Sequence, residues 1–397
     1  MATSIPEASI QQGPKDGGVG IALNADTTRL RAVDGSATLA SEGPSHPEFL
    51  LPVFDLAEYL SGRADPGASH AQCRALAECL RATGCVVVRD PRTSEADSKR
   101  FLDMMERYFG QDVAAKMADV CPELHYQVGA TPEGVEVPRC LADAECLAAM
   151  AGQPAASRAT LPTGADAKWR FFWRLGPRPA TTAYAELNAD PVVPRGFPEW
   201  TEVMDGWGSK MLAAVETAAE MAARGFGLEP DAFTRRMRLG PHLLAPTGAD
   251  LGVHGERGAV LAGWHYDLNF LSAHGKSRFP GLAVWLQDGR RLPVSIPNGC
   301  LLLQAGKQLE WLTSGHVRAG MHEVVCTDAT CAAVTRARAE GRPLWRVSST
   351  VFAHVASDEV LAPLGAFAGS PGAAEYPPTP AGLQVQRELE AIQLKAS

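Results

Sequence analysis

Hydrophobic and polar positions follow two rhythms along this 397-residue chain, and the rhythm changes near residue 236. Upstream it is helical. Cys73, Leu76, Ala77 and Leu80 recur at helical spacing and predict a helix over 71–82, stopped by Gly84. Phe101, Met104, Met105 and Tyr108 predict another over 95–109. The longest stripe, from Val203 and Trp207 to Ala222, predicts a helix over 201–224 that Gly225 and Gly227 terminate. Two short apolar runs interrupt the helices. Residues 50–55, with Pro52 near the start, read as an edge strand, and 85–88 as a compact β-branched strand.

From Met237 to Val355 short apolar runs alternate with Gly, Pro, Asp and Asn turns, the pattern of a sandwich or barrel. An Ala- and Arg-rich interruption predicts a helix over 329–340, and 385–394 reads as a closing helix. The expected fold class is α+β with a mainly β core. Residues 1–45 are expected to be a flexible N-terminal arm, 46–235 an α/β region whose helices support the core, and 236–397 the core with its C-terminal helix. Residues 120–200 read as loop-rich. They carry Trp169, Phe171, Phe172 and Trp173, which either pack a core or form one wall of a substrate pocket, with Phe172 a candidate substrate contact.

Composition narrows the class. With 46% hydrophobic and 21% charged residues the chain is an ordinary globular one, and 38 Gly with 29 Pro predict many turns. No run of about 18 apolar residues occurs, so no membrane span is expected. Thirty-seven basic residues against 45 acidic ones leave a formal charge of −8 with no basic run, which argues against a nucleic-acid partner. The nine cysteines include no C-x-x-C pair, so a zinc ribbon is not expected. The start of the sequence shows no secretory pattern, and free thiols in a reducing cytoplasm are the simplest expectation.

The chemistry begins at Gly263-Trp264-His265-Tyr266-Asp267. In a strand, residues i and i+2 point to one face, so His265 and Asp267 present an imidazole and a carboxylate side by side. With one distant histidine they would complete a 2-His-1-carboxylate facial triad, which leaves one side of an iron open. His316, His322 and His354 are the candidates. His316 follows the turn-like Thr313-Ser314-Gly315, whereas His322 lies in a strand-like run, Met321-His322-Glu323-Val324-Val325. A strand holds a ligand better than a turn, which favours His322 and leaves His316 as the alternative. Downstream, Arg346 and Ser348 share a face of a further strand and could clamp a carboxylate. Asn269 shares the ligands' face, which makes it a candidate substrate contact.

Together these residues resemble the iron(II)/2-oxoglutarate-dependent dioxygenases of the isopenicillin N synthase-like family. The resemblance rests on H-x-D at 265–267, a 55-residue interval to His322, R-x-S at 346–348, and the linking text Pro280-Gly281, Asp288-Gly289, Pro297-Asn298-Gly299 and Leu309 to Gly315 in the family's order. It covers roughly residues 48–394. It implies a double-stranded β-helix (jelly roll) with flanking helices, Fe(II) on His265, Asp267 and His322, and 2-oxoglutarate chelating the iron, with its far carboxylate on Arg346 and Ser348. It also implies O₂ as oxidant and a small-molecule substrate, most simply hydroxylated with release of succinate and CO₂. Three departures stand out. The 24-residue interval from His322 to Arg346 is long, and the helix expected at 329–340 accounts for it. Where the family often has a co-substrate-holding Tyr, this chain has Arg238 to Leu244, in which His242 is the candidate substitute. Glu323 and Lys307 replace the family's usual Arg and Asp. Two other readings remain: an iron oxidase of the same fold that does not use 2-oxoglutarate, and a non-catalytic metal- or small-molecule-binding jelly roll.

Overall fold

Ser94 caps a helix, its Oγ accepting the Asp97 N–H, and that helix runs Glu95–Phe109 as the spacing predicts. Its stripe is buried: Phe101, Met104, Met105 and Tyr108 are at most 1% exposed. The long stripe forms the helix Trp200–Gly225, which packs on the helix Pro66–Thr83 and on the back of the main sheet. Tyr108, Phe171, Phe197 and Trp200 meet edge to face where these layers join. The computed structural model describes residues 51–62, 66–392 and 394, so the arm expected over 1–45 lies outside the described residues.

Among the described residues the larger sheet has ten strands. Its path runs β1 (Val53–Asp55), β2 (Cys85–Arg89), β11 (Cys300–Ala305), β8 (Leu271–Gly275), β14 (Ser349–Ala353), β5 (Leu243–Leu244), β4 (Trp169–Arg174), β6 (Thr247–Asp250) and β13 (Trp345–Val347), with β3 (Gly129–Thr131) beside β4. The smaller sheet is β10 (Arg291–Pro293), β9 (Leu282–Trp285), β12 (Met321–Val325) and β7 (Val260–Tyr266). All pairings within these two sheets are antiparallel except β1 with β2. β1 is the edge strand that Pro52 announced. Strands from both sides of residue 236 share the large sheet, because β2 pairs with β11. Gly84 makes the sharp turn into β2 at φ +74°, a conformation that glycine adopts without strain.

Two expectations change here. Residues 169–174 are not loop but β4, whose alternation divides its side chains: Trp169, Phe171 and Trp173 enter the main core, while Lys168, Arg170 and Phe172 face a cavity. The aromatic run therefore packs the core with three of its rings and lines the cavity with Phe172. Nor are all nine cysteines free thiols. Cys140 and Cys146 form a disulfide because the turn between the helices Arg139–Ala142 and Ala144–Ala151 brings their Cα atoms to 4.8 Å. The interruption downstream is the helix Asp328–Ala339, opened by a Thr327–Thr330 capping box, and it fills the long interval between β12 and β13. The closing helix starts earlier than predicted, at Ala381–Ala391, directly after Pro380. No helix among the described residues is long and apolar enough to cross a membrane.

Candidate functional site

The antiparallel pairing of β7 with β12 sets His265 directly opposite His322. The ring centroids are 4.2 Å apart. Asp267 follows at the end of β7, with Oδ1 3.7 Å from His265 Nε2 and 3.9 Å from His322 Nε2. Ligand atoms of the three lie within 4.8 Å of one another, and no other group of three or more such residues forms among the described residues. His265 Nδ1–H donates to the Gly263 carbonyl at 2.6 Å, which leaves Nε2 free as a donor to a metal. Ser272 Oγ donates to Asp267 Oδ2, which leaves Oδ1 facing both imidazoles.

The local backbone is built to hold this arrangement. Residues 267–270 curl off β7, and their carbonyls accept from the start of the helix Lys307–Leu312. Gly306, Lys307 and Gln308 N–H donate to Phe270, Asp267 and Asn269 at 2.9–3.0 Å. A Cβ on Gly306 would stand 2.1 Å from the Asn269 carbonyl oxygen, so only glycine lets the helix approach so closely.

The protonation states suit a divalent cation. Burial, with His265 adjacent, pushes His322 well below the usual histidine range. Burial pushes the Asp267 carboxyl up, but His322, His265, His274 and the Ser272 hydrogen bond together hold it below its ordinary value. A neutral imidazole and an ionised carboxylate are the forms that bind metal. Two histidine nitrogens and one carboxylate oxygen on one side fit a non-haem Fe(II).

His316 lies elsewhere. It follows Ser314 and Gly315, both at positive φ, and packs against Phe226 and Phe367 at 5.7 and 5.2 Å. His354 lines the cavity but stands outside the three-residue group. The cavity has a volume of about 1350 Å³, and the triad opens onto it.

Arg346 and Ser348 both line that cavity. Arg346 is 6% exposed. Its Nε donates to the Pro280 carbonyl at 3.3 Å, and no acidic side chain among the described residues pairs with it. Burial pushes its guanidinium down to about 10. A buried, unpaired guanidinium is costly and calls for an anion. Ser348 Oγ accepts from the Thr247 N–H at 2.8 Å and lies 3.0 Å from Thr247 Oγ1, which fixes it beside the cavity.

Comparison with known proteins bears on this geometry. No family model matches the sequence, and no curated protein does. Solved structures do match. A 2OG-Fe(II) oxygenase family protein from Caulobacter crescentus superposes with a TM-score of 0.67 at 21% identity, over 86% of this chain and 99% of that one. The chain has the fold of the 2OG-Fe(II) oxygenases. A full-length Neurospora crassa protein, solved in complex with alpha-KG and thymine, matches with a TM-score of 0.63 at 16% identity over 86% of this chain and 97% of its own. JOX2, solved with 2OG, Fe and JA, matches at 0.58 and 17% over 86% and 85%.

Seen in the fold of the 2OG-Fe(II) oxygenases, the departures in sequence have physical explanations. Glu323 is fully buried, pairs with Arg291 at 3.0 Å and accepts the Thr160 N–H at 2.8 Å, tying β12 to β10 and to the segment before β4. Lys307 pairs with Glu310 and lies 5.3 Å from the Tyr266 ring centroid. His242 does not substitute for a co-substrate-holding Tyr. Its Nδ1 accepts the His354 N–H and its Nε2 donates to the Met237 carbonyl, both at 3.0 Å, so the ring has nothing left to offer a ligand. Asn269 is not on the ligand strand, which ends at Tyr266. It is 1% exposed and its amide is occupied by Ala353 and Ser272. It braces the ligand loop, and it also lines the cavity. Phe172 does line the cavity, edge-on to Phe352 at 6.0 Å.

Several lining groups escaped the sequence reading. His274 lies 5.5 Å from His322, ring to ring, and faces Thr350 Oγ1 at 3.4 Å. Lys168 and Arg170 pair with Asp166 and Glu136 on the cavity wall. The alternation of Lys168 and Arg170 with Trp169 and Phe171 was a legible signal of a strand with one charged face. Glu136 comes from an irregular segment and left no signal.

Proposed function

We propose that this protein is an Fe(II)- and 2-oxoglutarate-dependent dioxygenase that oxidises, most simply by hydroxylation, a C–H bond of a small organic substrate. The balance is R–H, 2-oxoglutarate and O₂ to R–OH, succinate and CO₂. The observation that carries this reading is one juxtaposition: an unpaired, buried guanidinium, Arg346, opens onto the same cavity as the His265–Asp267–His322 donor set. The matching solved structures hold 2-oxoglutarate, iron and small organic molecules, which supports a small-molecule substrate. In this reading the strands β5 to β14 of the two sheets form a double-stranded β-helix, braced by the helices and strands that precede them.

The chain's own groups divide the work. His265 and His322 present Nε2, and Asp267 presents Oδ1, as metal ligands on one side. Ser272 and the Gly263 carbonyl orient Asp267 and His265. Arg346 receives the far carboxylate of 2-oxoglutarate in a charge-assisted pair, and Ser348 adds a hydrogen bond. Apolar side chains such as Phe172, Phe279 and Phe352 line the cavity and limit the water near the reacting C–H. Bound iron would supply the activation of O₂ that these side chains cannot perform.

The test is an anaerobic visible spectrum of the protein with Fe(II), before and after 2-oxoglutarate. A metal-to-ligand charge-transfer band is expected. Arg346→Met should shift its half-saturation upward by about 30-fold or more, since truncating one partner of a buried charge pair costs roughly 2–5 kcal/mol. Iron binding without the band would instead support the oxidase that does not use 2-oxoglutarate. No iron binding would support the non-catalytic reading.

A further inference from the structure

The wall of the cavity beside His265 carries an unusual density of buried charge. β4 points Arg170 and Phe172 into the cavity, and Lys168, directly before it, lines the same wall. Lys168 Nζ pairs with Asp166 Oδ2 at 2.5 Å and approaches Glu136 Oε1 at 3.6 Å. Arg170 Nη1 pairs with Glu136 Oε2 at 3.0 Å, Nη2 donates to Thr131 Oγ1 at 3.2 Å, and the guanidinium lies 3.9 Å from the Phe172 ring centroid. Both cations are thus neutralised within the wall. The next cation along it, Arg139, pairs with Asp143 and Glu388.

The four members of the cluster differ in how they meet the cavity. The side chains of Lys168, Asp166 and Arg170 are 8%, 5% and 7% exposed, whereas that of Glu136 is 18% exposed. Glu136 Oε2 is occupied by Arg170, but Oε1 has only Lys168 at 3.6 Å, beyond hydrogen-bond distance. Glu136 therefore keeps an acceptor oxygen available on the wall. Glu136 lines the same cavity as His265, Asp267 and His322.

Resting on the oxygenase reading above, we propose that the substrate is a neutral or cationic small molecule presenting an N–H or O–H donor, and that Glu136 Oε1 is the acceptor that positions it. An anionic substrate bound against this wall would face Glu136, Asp166 and Glu388, while Lys168, Arg170 and Arg139 each already have a carboxylate partner; the cavity's other cations without a carboxylate partner besides Arg346, Lys276 and Arg336, come from the end of β8 and from the helix Asp328–Ala339 instead. Its desolvation would go uncompensated. The one unpaired buried guanidinium, Arg346, is taken by the co-substrate. A donor, by contrast, meets an ionised acceptor held in place by two cations, the geometry of a strong, charge-assisted hydrogen bond. Recognition of this kind rejects an analogue lacking the donor, because the bound analogue would cover Oε1 and leave it unpaired.

The experiment uses the full chain loaded with Mn(II) and saturating 2-oxoglutarate, which blocks Arg346. Proton NMR then records paramagnetic broadening of small probes, with Zn(II)-loaded protein as the diamagnetic control. The probes are matched amide–carboxylate pairs, benzamide with benzoate and phenylacetamide with phenylacetate among them. The amides are expected to broaden at least about fivefold more than their carboxylates, the scale on which like-charge juxtaposition discriminates partners. Glu136→Gln should shrink that ratio severalfold while leaving the broadening of 2-oxoglutarate unchanged. Equal or stronger broadening of the carboxylates, no broadening of either set, or an unchanged ratio in E136Q would overturn the proposal. If E136Q does not fold, the wild-type ratio alone decides it. Broadening of 2-oxoglutarate itself is the internal check: its absence would sink the oxygenase reading, whereas its presence with the wrong probe preference sinks only this inference.

Discussion

His265 and His322 face each other across the β7–β12 pair, 57 positions apart in sequence and 4.2 Å apart between ring centroids. The consequence is that the two imidazoles belong to one rigid ladder and cannot separate without breaking its hydrogen bonds. Asp267, at the strand end, depends instead on the loop that follows it.

The first prediction concerns the donor set. His265→Ala, Asp267→Ala and His322→Ala should each weaken Fe(II) or Mn(II) binding by more than about 100-fold, because losing even a group that hydrogen-bonds a ligand costs roughly 10–100-fold. Ser272→Ala should fall in that lesser range. His316→Ala should leave affinity unchanged, since His316 packs between Phe226 and Phe367 away from the triad. Isothermal titration with Mn(II) would check all five, and retained affinity in H322A would refute the assignment.

Gly306 gives a second. Its substitution by alanine puts a methyl 2.1 Å from the Asn269 carbonyl oxygen and must push the loop carrying Asp267. Overpacking of this kind costs about 1–3 kcal/mol. Urea unfolding should show that loss, together with weaker metal binding. A normal Mn(II) affinity in G306A would mean that the helix start does not position Asp267.

Acid should destabilise the fold through its buried histidines. Burial lowers His242 and His354 to about 3 in the folded protein. The unfolded chain takes up a proton on each ring near pH 6.5, while the folded one stays neutral until near its own lower value. The unfolded state thus binds more protons throughout that window, and stability falls as pH drops from about 6.5 towards about 3, by up to about 1.4 kcal/mol per unit per ring. Urea midpoints between pH 7.5 and pH 5 would measure the slope. His242→Leu should flatten it by about one proton, and an unchanged slope would exclude His242 as a contributor.

The disulfide gives a direct count. Denatured, unreduced protein should show seven reactive thiols, and nine after reduction. Replacing Cys140 and Cys146 by serine should cost about 2 kcal/mol, the scale set by closing so short a loop. Nine thiols without reductant would refute the pairing.

How much of this was legible in advance follows from the range of each interaction. The helix 95–109 reads directly from Phe101, Met104, Met105 and Tyr108 because burial of one helix face imposes a local period. The H-x-D pair reads from the sequence because extended backbone puts residues i and i+2 on one side, and Asp267 directly follows the strand that carries His265. Asn269 reaches the cavity wall by another route: the strand ends at Tyr266, so the loop after it, not alternation, places Asn269 there. His242 misled because nothing local says that the backbone of His354 and Met237 will claim both ring nitrogens.

The sequence by itself determined the period-coded elements, the motif spacing and the ligand types. These are local properties, set by backbone geometry over a few residues. The strand-like run already favoured His322; tertiary structure alone decided that His322 pairs directly opposite His265, that Arg346 has no carboxylate partner, and that Glu136 from an irregular segment reaches the cavity wall. Each of these depends on which strands pair and on which charges are left without a neighbour after packing, and contacts between residues far apart in the chain leave no period to read.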